Sequence, residues 1–260
     1  MPRYCLTVEY DGGPYVGWQR QENGPSIQQA LEEAAEALCG QAIRVHGSGR
    51  TDAGVHALGQ VAHLDLPREY GAETVRKALN AHLRPHPIAI VAAQEVSEDF
   101  HARFSARERS YLYRILNRPD PPTLTRGRVW WVSQSLDAEV MQAAAQRLVG
   151  QHDFSSFRAA ECQAESPVKT LDRLEVRREG EEVLISATAR SFLHHQIRNF
   201  AGTLRFVGTG KWTPDDVSRI LEARDRAVAG PTAPPDGLYF VSVRFATEKL
   251  NEKGEDRCIG

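Results

Sequence analysis

The stretch Gly47-Ser-Gly-Arg50-Thr51-Asp52-Ala53-Gly54-Val55-His56-Ala57-Leu58-Gly59-Gln60 sets one carboxylate among four glycines, two residues after an arginine. Four glycines in thirteen residues exclude a regular helix or strand. They let the backbone turn sharply or come close to a partner. The guanidinium of Arg50 favours the ionised form of Asp52. An ionised, positioned carboxylate can attack a carbon or remove a proton. The same pattern also suits an Asx-turn, in which Asp52 caps local N–H groups. The stretch is not a P-loop, because no Gly-Lys-Ser/Thr follows and no helix begins there. A phosphotransferase or hydrolase would need further acids for Mg²⁺ near the Asp, and residues 44–60 contain only Asp52.

Other chemistry-bearing residues are fewer. His194 and His195 are adjacent, so they do not share a helical face as an i,i+4 metal pair would. Cys5, Cys39, Cys162 and Cys258 show no CxxC or zinc spacing and read as isolated thiols. No metal is expected. The net charge is −2, yet residues 103–128 hold seven Arg against two acids, and residues 186–211 hold three Arg and Lys211 with no acid. Arginine forks onto phosphate and stacks on bases. A segregated Arg-rich face on a near-neutral chain fits an RNA-binding groove, as it fits a set of solvated surface arginines.

These residues need a scaffold. Residues 3–10 alternate Tyr4, Leu6, Val8 and Tyr10 at the strand period. Ser26 opens a helix with Gln29 as its capping-box partner, and Gly40 ends it. Strands over 42–47 and 57–66, a helix over 72–83 and a strand over 88–96 complete a β-α-β-β-α-β order, the ferredoxin-like pattern. The second half repeats the rhythm. Strands fit 110–117 and 129–133, a helix 137–149, strands 171–178 and 182–190, and helices 195–208 and 214–223. Thr213 is the N-cap of the last helix with Pro214 at N1, and a strand spans 238–246. The class is α+β. The division is an N-terminal half (1–104) that carries the Asp52 loop, a C-terminal half (105–246), and a charged tail (247–260) read as frayed. Joined strand edges would give a mixed, mainly antiparallel sheet with a central cleft. Two connections, 150–170 and 224–237, are long enough to be functional.

With 32 Lys+Arg against 34 Asp+Glu and 41% hydrophobic residues, wholesale disorder is excluded. The longest apolar run, residues 88–93, falls far short of the about 20 residues of a membrane span. The N-terminus reads as a strand rather than a secretory signal, so a cytoplasmic location is expected.

Gly49-Arg50-Thr51-Asp52-Ala53-Gly54-Val55-His56-Ala57 resembles the signature of the tRNA pseudouridine synthase A family. Further stretches resemble that family's motifs in order. They are Tyr10-Asp11-Gly-Gly-Pro-Tyr15 through Gln19, Arg109-Ser110-Tyr111-Leu112-Tyr113, His152-Asp153-Phe154, Phe192 through Asn199, and Ala233-Pro-Pro-Asp-Gly-Leu238. The resemblance covers about residues 3–246. It implies the pseudouridine synthase fold and isomerisation of uridine to pseudouridine at positions 38, 39 and 40 of the tRNA anticodon arm. No redox cofactor or metal is implied.

The resemblance also implies roles. Asp52 is the catalytic carboxylate, attacking C1′ or removing a 2′ proton. Arg198 pairs with it and keeps it ionised. Tyr111 lies against the uracil or takes part in late removal of the C5 proton. The target base leaves its stack, and Arg50 fills or guards the vacated space. His56 is counted with the RNA-contacting candidates Arg50, Tyr111, Arg114, Arg118, Arg126 and Arg205, although its position favours a structural role. A homodimer is expected, one tRNA contacting both subunits. A non-catalytic RNA-binding module is the rival reading; it needs no Asp52.

Overall fold

The structure, a computed structural model, describes residues 1–246; the expectations for the 247–260 tail and for Cys258 lie outside them. The described residues form two compact units, Met1–Arg109 with residues 239–246, and Ser110–Leu238. The fold is α+β, as the periodicity predicts.

The first unit runs β1 (Arg3–Tyr10), α1 (Ile27–Cys39), β2 (His46–Gly47), β3 (His56–Asp65), α2 (Ala72–His82) and β4 (Ile88–Val96). Strand β1 lies between β4 and β3, antiparallel to both, with Leu6 opposite Ala62 and Ala93. Its Tyr4, Leu6 and Val8 are fully buried. Helix α1 buries Ile27, Leu31 and Ala35. Ser26 caps it by accepting from the Gln29 N–H, and Gly40 closes it in the left-handed region at φ 74°. The reciprocal half of the expected capping box is missing, because the Gln29 side chain donates to Glu33 instead. Helix α2 is tied to β4 by Asn80, whose amide both donates to and accepts from the Ile90 backbone.

The chain enters the second unit within β5 (Ala106–Leu116). There follow β6 (Trp130–Trp131), α3 (Ala138–Ala145), β7 (Gly150–Asp153), β8 (Val168–Glu179), β9 (Glu182–Ala189), α4 (Gln196–Gly208) and α5 (Pro214–Ala223). Strand order in this unit is β5-β9-β8-β7, with β6 parallel on the end of β5. Phe154, Phe157 and Phe200 meet edge to face at 5.0–6.4 Å and are completely buried. Thr213 caps α5 with Pro214 at its start, as expected, and Asp216 completes a capping box.

The chain returns to the first unit within β10 (Leu238–Phe245), which pairs parallel with β3 through Tyr239–His56 and Phe240–Ala57. Strands β2 and β10 thus share one edge of β3. β2 takes Ala62 and His63, and β10 takes the end next to the Asp52 loop.

Candidate active site

Asp52 is half-buried at the tip of the segment between β2 and β3, and Arg50 is exposed beside it. The backbone on either side of Asp52 is held by segments distant in sequence. Gly17 bridges to Asp52, and the Trp18 N–H donates to Thr51 O at 3.0 Å. The Tyr10 hydroxyl lies 2.7 Å from Thr51 Oγ1 in a buried contact. On the N-terminal side, Gln60 accepts from Ser48 Oγ at 2.6 Å and donates to Gly49 O at 3.0 Å. Arg109 donates twice to Ser48 O, at 2.7 and 3.1 Å. On the C-terminal side, the Val55 N–H closes a turn onto Asp52 O at 3.2 Å. Gly54 supplies the left-handed φ of 78° that this turn requires. The loop is therefore rigid, and its carboxylate is displayed from a set backbone.

His56 is only 2% exposed. Its Nδ1 lies 3.1 Å from the Gly12 N–H and 3.1 Å from Asp11 Oδ1, and its ring stacks on Tyr239 at 4.9 Å. In this structure His56 touches the protein segment under the loop. Gly12 packs against the same place: a side-chain carbon there would stand 2.0 Å from Val55 O. The 10–18 segment is thus the cradle of the Asp52 loop. Its dense glycine and aromatic content was the available signal, but no site residue was read from it.

In the second unit Tyr111 is half-buried on β5, and its ring meets Phe192 edge to face at 5.2 Å. The Tyr111 strand and the entry to α4 are thereby brought together. Tyr113 is completely buried and donates its hydroxyl to Pro234 O at 2.7 Å. Burial pushes its phenol well above the usual range. Arg198, in the first turn of α4, donates from Nε to Ala233 O at 2.7 Å, while the Ala233 N–H donates to Arg198 O at 3.1 Å. This reciprocal pair orients the guanidinium. The 230–233 segment comes close to α4 because both sides are glycine: a side-chain carbon on Gly202 would meet Pro231 O at 1.7 Å.

The arginines differ from one another. Arg114 forks onto Glu182 at 2.6 and 2.8 Å, and Arg118 reaches Glu181 at 2.8 Å. Both charges are balanced locally. Arg126 is exposed on the 120–128 loop. Arg205 donates to Gln134 at 2.9 Å and lies 5.6–5.9 Å from the Phe206 and Trp130 rings. Trp131 is 39% exposed, while its indole N–H donates to Arg118 O at 2.9 Å.

Comparison with known proteins shows the family. A family model described as tRNA pseudouridine synthase matches residues 6–105 and 144–246. A protein of Rhodospirillum rubrum named tRNA pseudouridine synthase A is 71% identical over 248 residues, covering 95% of this chain and 89% of that one. One of the same name from Rhodospirillum centenum is 64% identical over 245 residues, covering 94% and 100%. A chain from the crystal structure of a Cbf5-Nop10-Gar1 complex aligns at 12% identity and a TM-score of 0.38, over 92% of this chain and 49% of that chain, which is too weak to carry an argument.

Proposed function

This chain belongs to the tRNA pseudouridine synthase family, and from that premise we propose that it isomerises uridine to pseudouridine at positions 38, 39 and 40 of the tRNA anticodon arm. The observation that carries the reading is the half-buried Asp52 on a loop whose backbone is tied to Gly17, Trp18 and Gln60. The reaction breaks the C1′–N1 bond, turns the uracil and rejoins it through C5. Attack on C1′ and removal of a 2′ proton both need an ionised carboxylate at a defined place, which a rigid loop supplies.

In this reading Tyr111 and Arg198 act with Asp52 on the substrate. Tyr111 offers a ring backed by Phe192. Arg198 is the cation that holds the carboxylate ionised, its fork oriented by Ala233. The target uridine is flipped out of its stack, at a cost of a few kcal/mol, and exposed Arg50 fills the space it leaves. Arg126 and Arg205 are the cations of the RNA-binding set best supported by their surroundings. Glutamate pairing weakens the case for Arg114 and Arg118. No helix among the described residues is long and apolar enough to cross a membrane, which is compatible with the cytoplasmic location that tRNA modification calls for. The active form is a homodimer in which one tRNA contacts both subunits. Light scattering at micromolar concentration checks this, and a mass near the 29.0 kDa of one chain refutes it.

The deciding experiment incubates the protein with unmodified tRNA and maps pseudouridine. Wild type converts uridines of the anticodon arm, and Asp52→Asn binds the tRNA without converting it. Conversion by Asp52→Asn above a trace overturns the role of Asp52; binding without conversion by wild type leaves the non-catalytic RNA-binding module.

A further inference from the structure

Phe104 is 75% exposed, whereas Phe100, Phe154, Phe157, Phe200 and Phe240 are all completely buried. Its surroundings are built rather than frayed. The His101 ring lies 4.4 Å from the Phe104 ring at 37°, and the Arg103 guanidinium lies 5.8 Å from its centroid. His101 Nδ1 accepts from the Arg103 and Phe104 N–H groups at 3.1 and 3.4 Å, and the Ser105 hydroxyl accepts from the His101 N–H at 3.0 Å. The turn therefore holds an aromatic ring in water at a set orientation. Two flat partners flank it, one of them cationic.

One guanidinium connects this turn to the chemistry. Arg109 Nη2 donates to Arg103 O at 3.0 Å and to Ser48 O at 2.7 Å. Ser48 is four residues from Asp52, a span of at most about 14 Å even if fully extended. A ring presented next to the root of the catalytic loop can meet the same RNA strand whose uridine reaches Asp52.

We propose that Phe104, with the Arg103 guanidinium and the His101 imidazole beside it, is a stacking platform for an unpaired nucleobase of the RNA substrate, close in sequence to the target uridine. The proposal rests on the reading of the chain as a tRNA-modifying enzyme. Every base has a face to stack, so such a platform tolerates sequence. It therefore suits an enzyme that must accept different neighbours around three adjacent positions. Desolvation and the positive neighbours His46 and Arg3 lower the His101 pKa, so the imidazole is neutral near pH 7 and presents an aromatic face.

The test uses full-length protein carrying Asp52→Asn, so that binding is read without turnover. The probe is an anticodon stem-loop RNA with 2-aminopurine at single loop positions. At one position or more the fluorescence is quenched on binding, and adding Phe104→Ala removes that quench and weakens binding about tenfold, about 1.4 kcal/mol. Phe104→Trp restores both. In the active background Phe104→Ala raises KM about tenfold and leaves kcat within about twofold. Unchanged quenching and affinity in Phe104→Ala, with an unchanged melting temperature, overturn the platform. So does a halved mass by light scattering, which assigns Phe104 to a protein–protein contact. Failure of the Asp52 assignment shows separately, as conversion by Asp52→Asn.

Discussion

The Gly17 backbone bridges to that of Asp52, and a side-chain carbon on Gly17 would stand 2.6 Å from Thr51 O and 3.1 Å from the Asp52 carbonyl carbon. Gly17 also has φ 114°, a conformation that L side chains rarely adopt. Gly17→Ala therefore pushes directly on the Asp52 loop. Its kcat is expected to fall about a hundredfold, since displacing a reacting group by about 1 Å costs that much. Stability falls by about 1–3 kcal/mol. Single-turnover rates alongside urea unfolding check this, and a rate within twofold of wild type refutes the cradle role of the 10–18 segment.

Tyr111 and Tyr113 separate function from support. Tyr113→Phe leaves Pro234 O without its buried donor, costing about 1–3 kcal/mol of stability with little change in rate. Tyr111→Phe leaves stability unchanged and loses most of the activity. Equal losses of activity in the two variants mean that the wrong tyrosine was assigned.

Arg198→Lys keeps the charge but loses the planar fork and the Nε–Ala233 bond. A fall in kcat of tenfold or more with tRNA affinity within twofold is expected. Wild-type kcat in the lysine variant would show that charge alone suffices there.

The salt dependence of tRNA binding sorts the arginines. Arg126→Gln is expected to reduce the slope of log K against log salt by about 0.7–0.9, one phosphate contact. Arg114→Gln, which removes a guanidinium already paired with Glu182, changes the slope much less. Equal changes from the two would show that the Glu182 pair opens on RNA.

Acid should weaken the first unit. The His63 ring stacks on that of His46 and meets that of His101 edge to face, and burial, together with repulsion from these two rings as they protonate, lowers its pKa to about 3. A histidine with a depressed folded pKa contributes stability that is present above the unfolded value of about 6.5 and is lost as pH falls toward 3. The expected loss between pH 6.5 and 5 is about 1–2 kcal/mol. His63→Gln, which keeps an acceptor for the Ala102 N–H, should flatten the dependence in urea titrations. An unchanged slope places the acid sensitivity elsewhere.

Local signals in the sequence located most elements. Ser26 and Gly40 bound α1, and Thr213 with Pro214 starts α5, because caps are decided within a few residues. β7 was not legible: Gly150-Gln-His-Asp153 has no apolar alternation, and it is a strand only because β8 pairs with it. The expected 42–47 strand shrinks to His46–Gly47 for the same reason, since pairing with His63 and Ala62 sets its length. Asp52 stood out because its glycines and neighbouring arginine are local. The part of Gly17 in holding it did not, because that contact spans 35 residues of sequence. The Arg114–Glu182 pair, 68 residues apart, likewise balances one of the cations that the sequence groups together.

β10 has a consequence for how the protein is made. During translation, His56 and Ala57 leave the ribosome long before their partners Tyr239 and Phe240. At 5–20 residues per second the 182 residues from Ala57 to Tyr239 take roughly 10–35 s. For that interval the strand leading out of the Asp52 loop has no β10 on its edge, so a nascent chain should acquire its finished Asp52 loop only once β10 has been made. Ribosome-stalled chains ending before Tyr239 are expected to be cut by protease within residues 48–60, and chains released after Phe245 to resist.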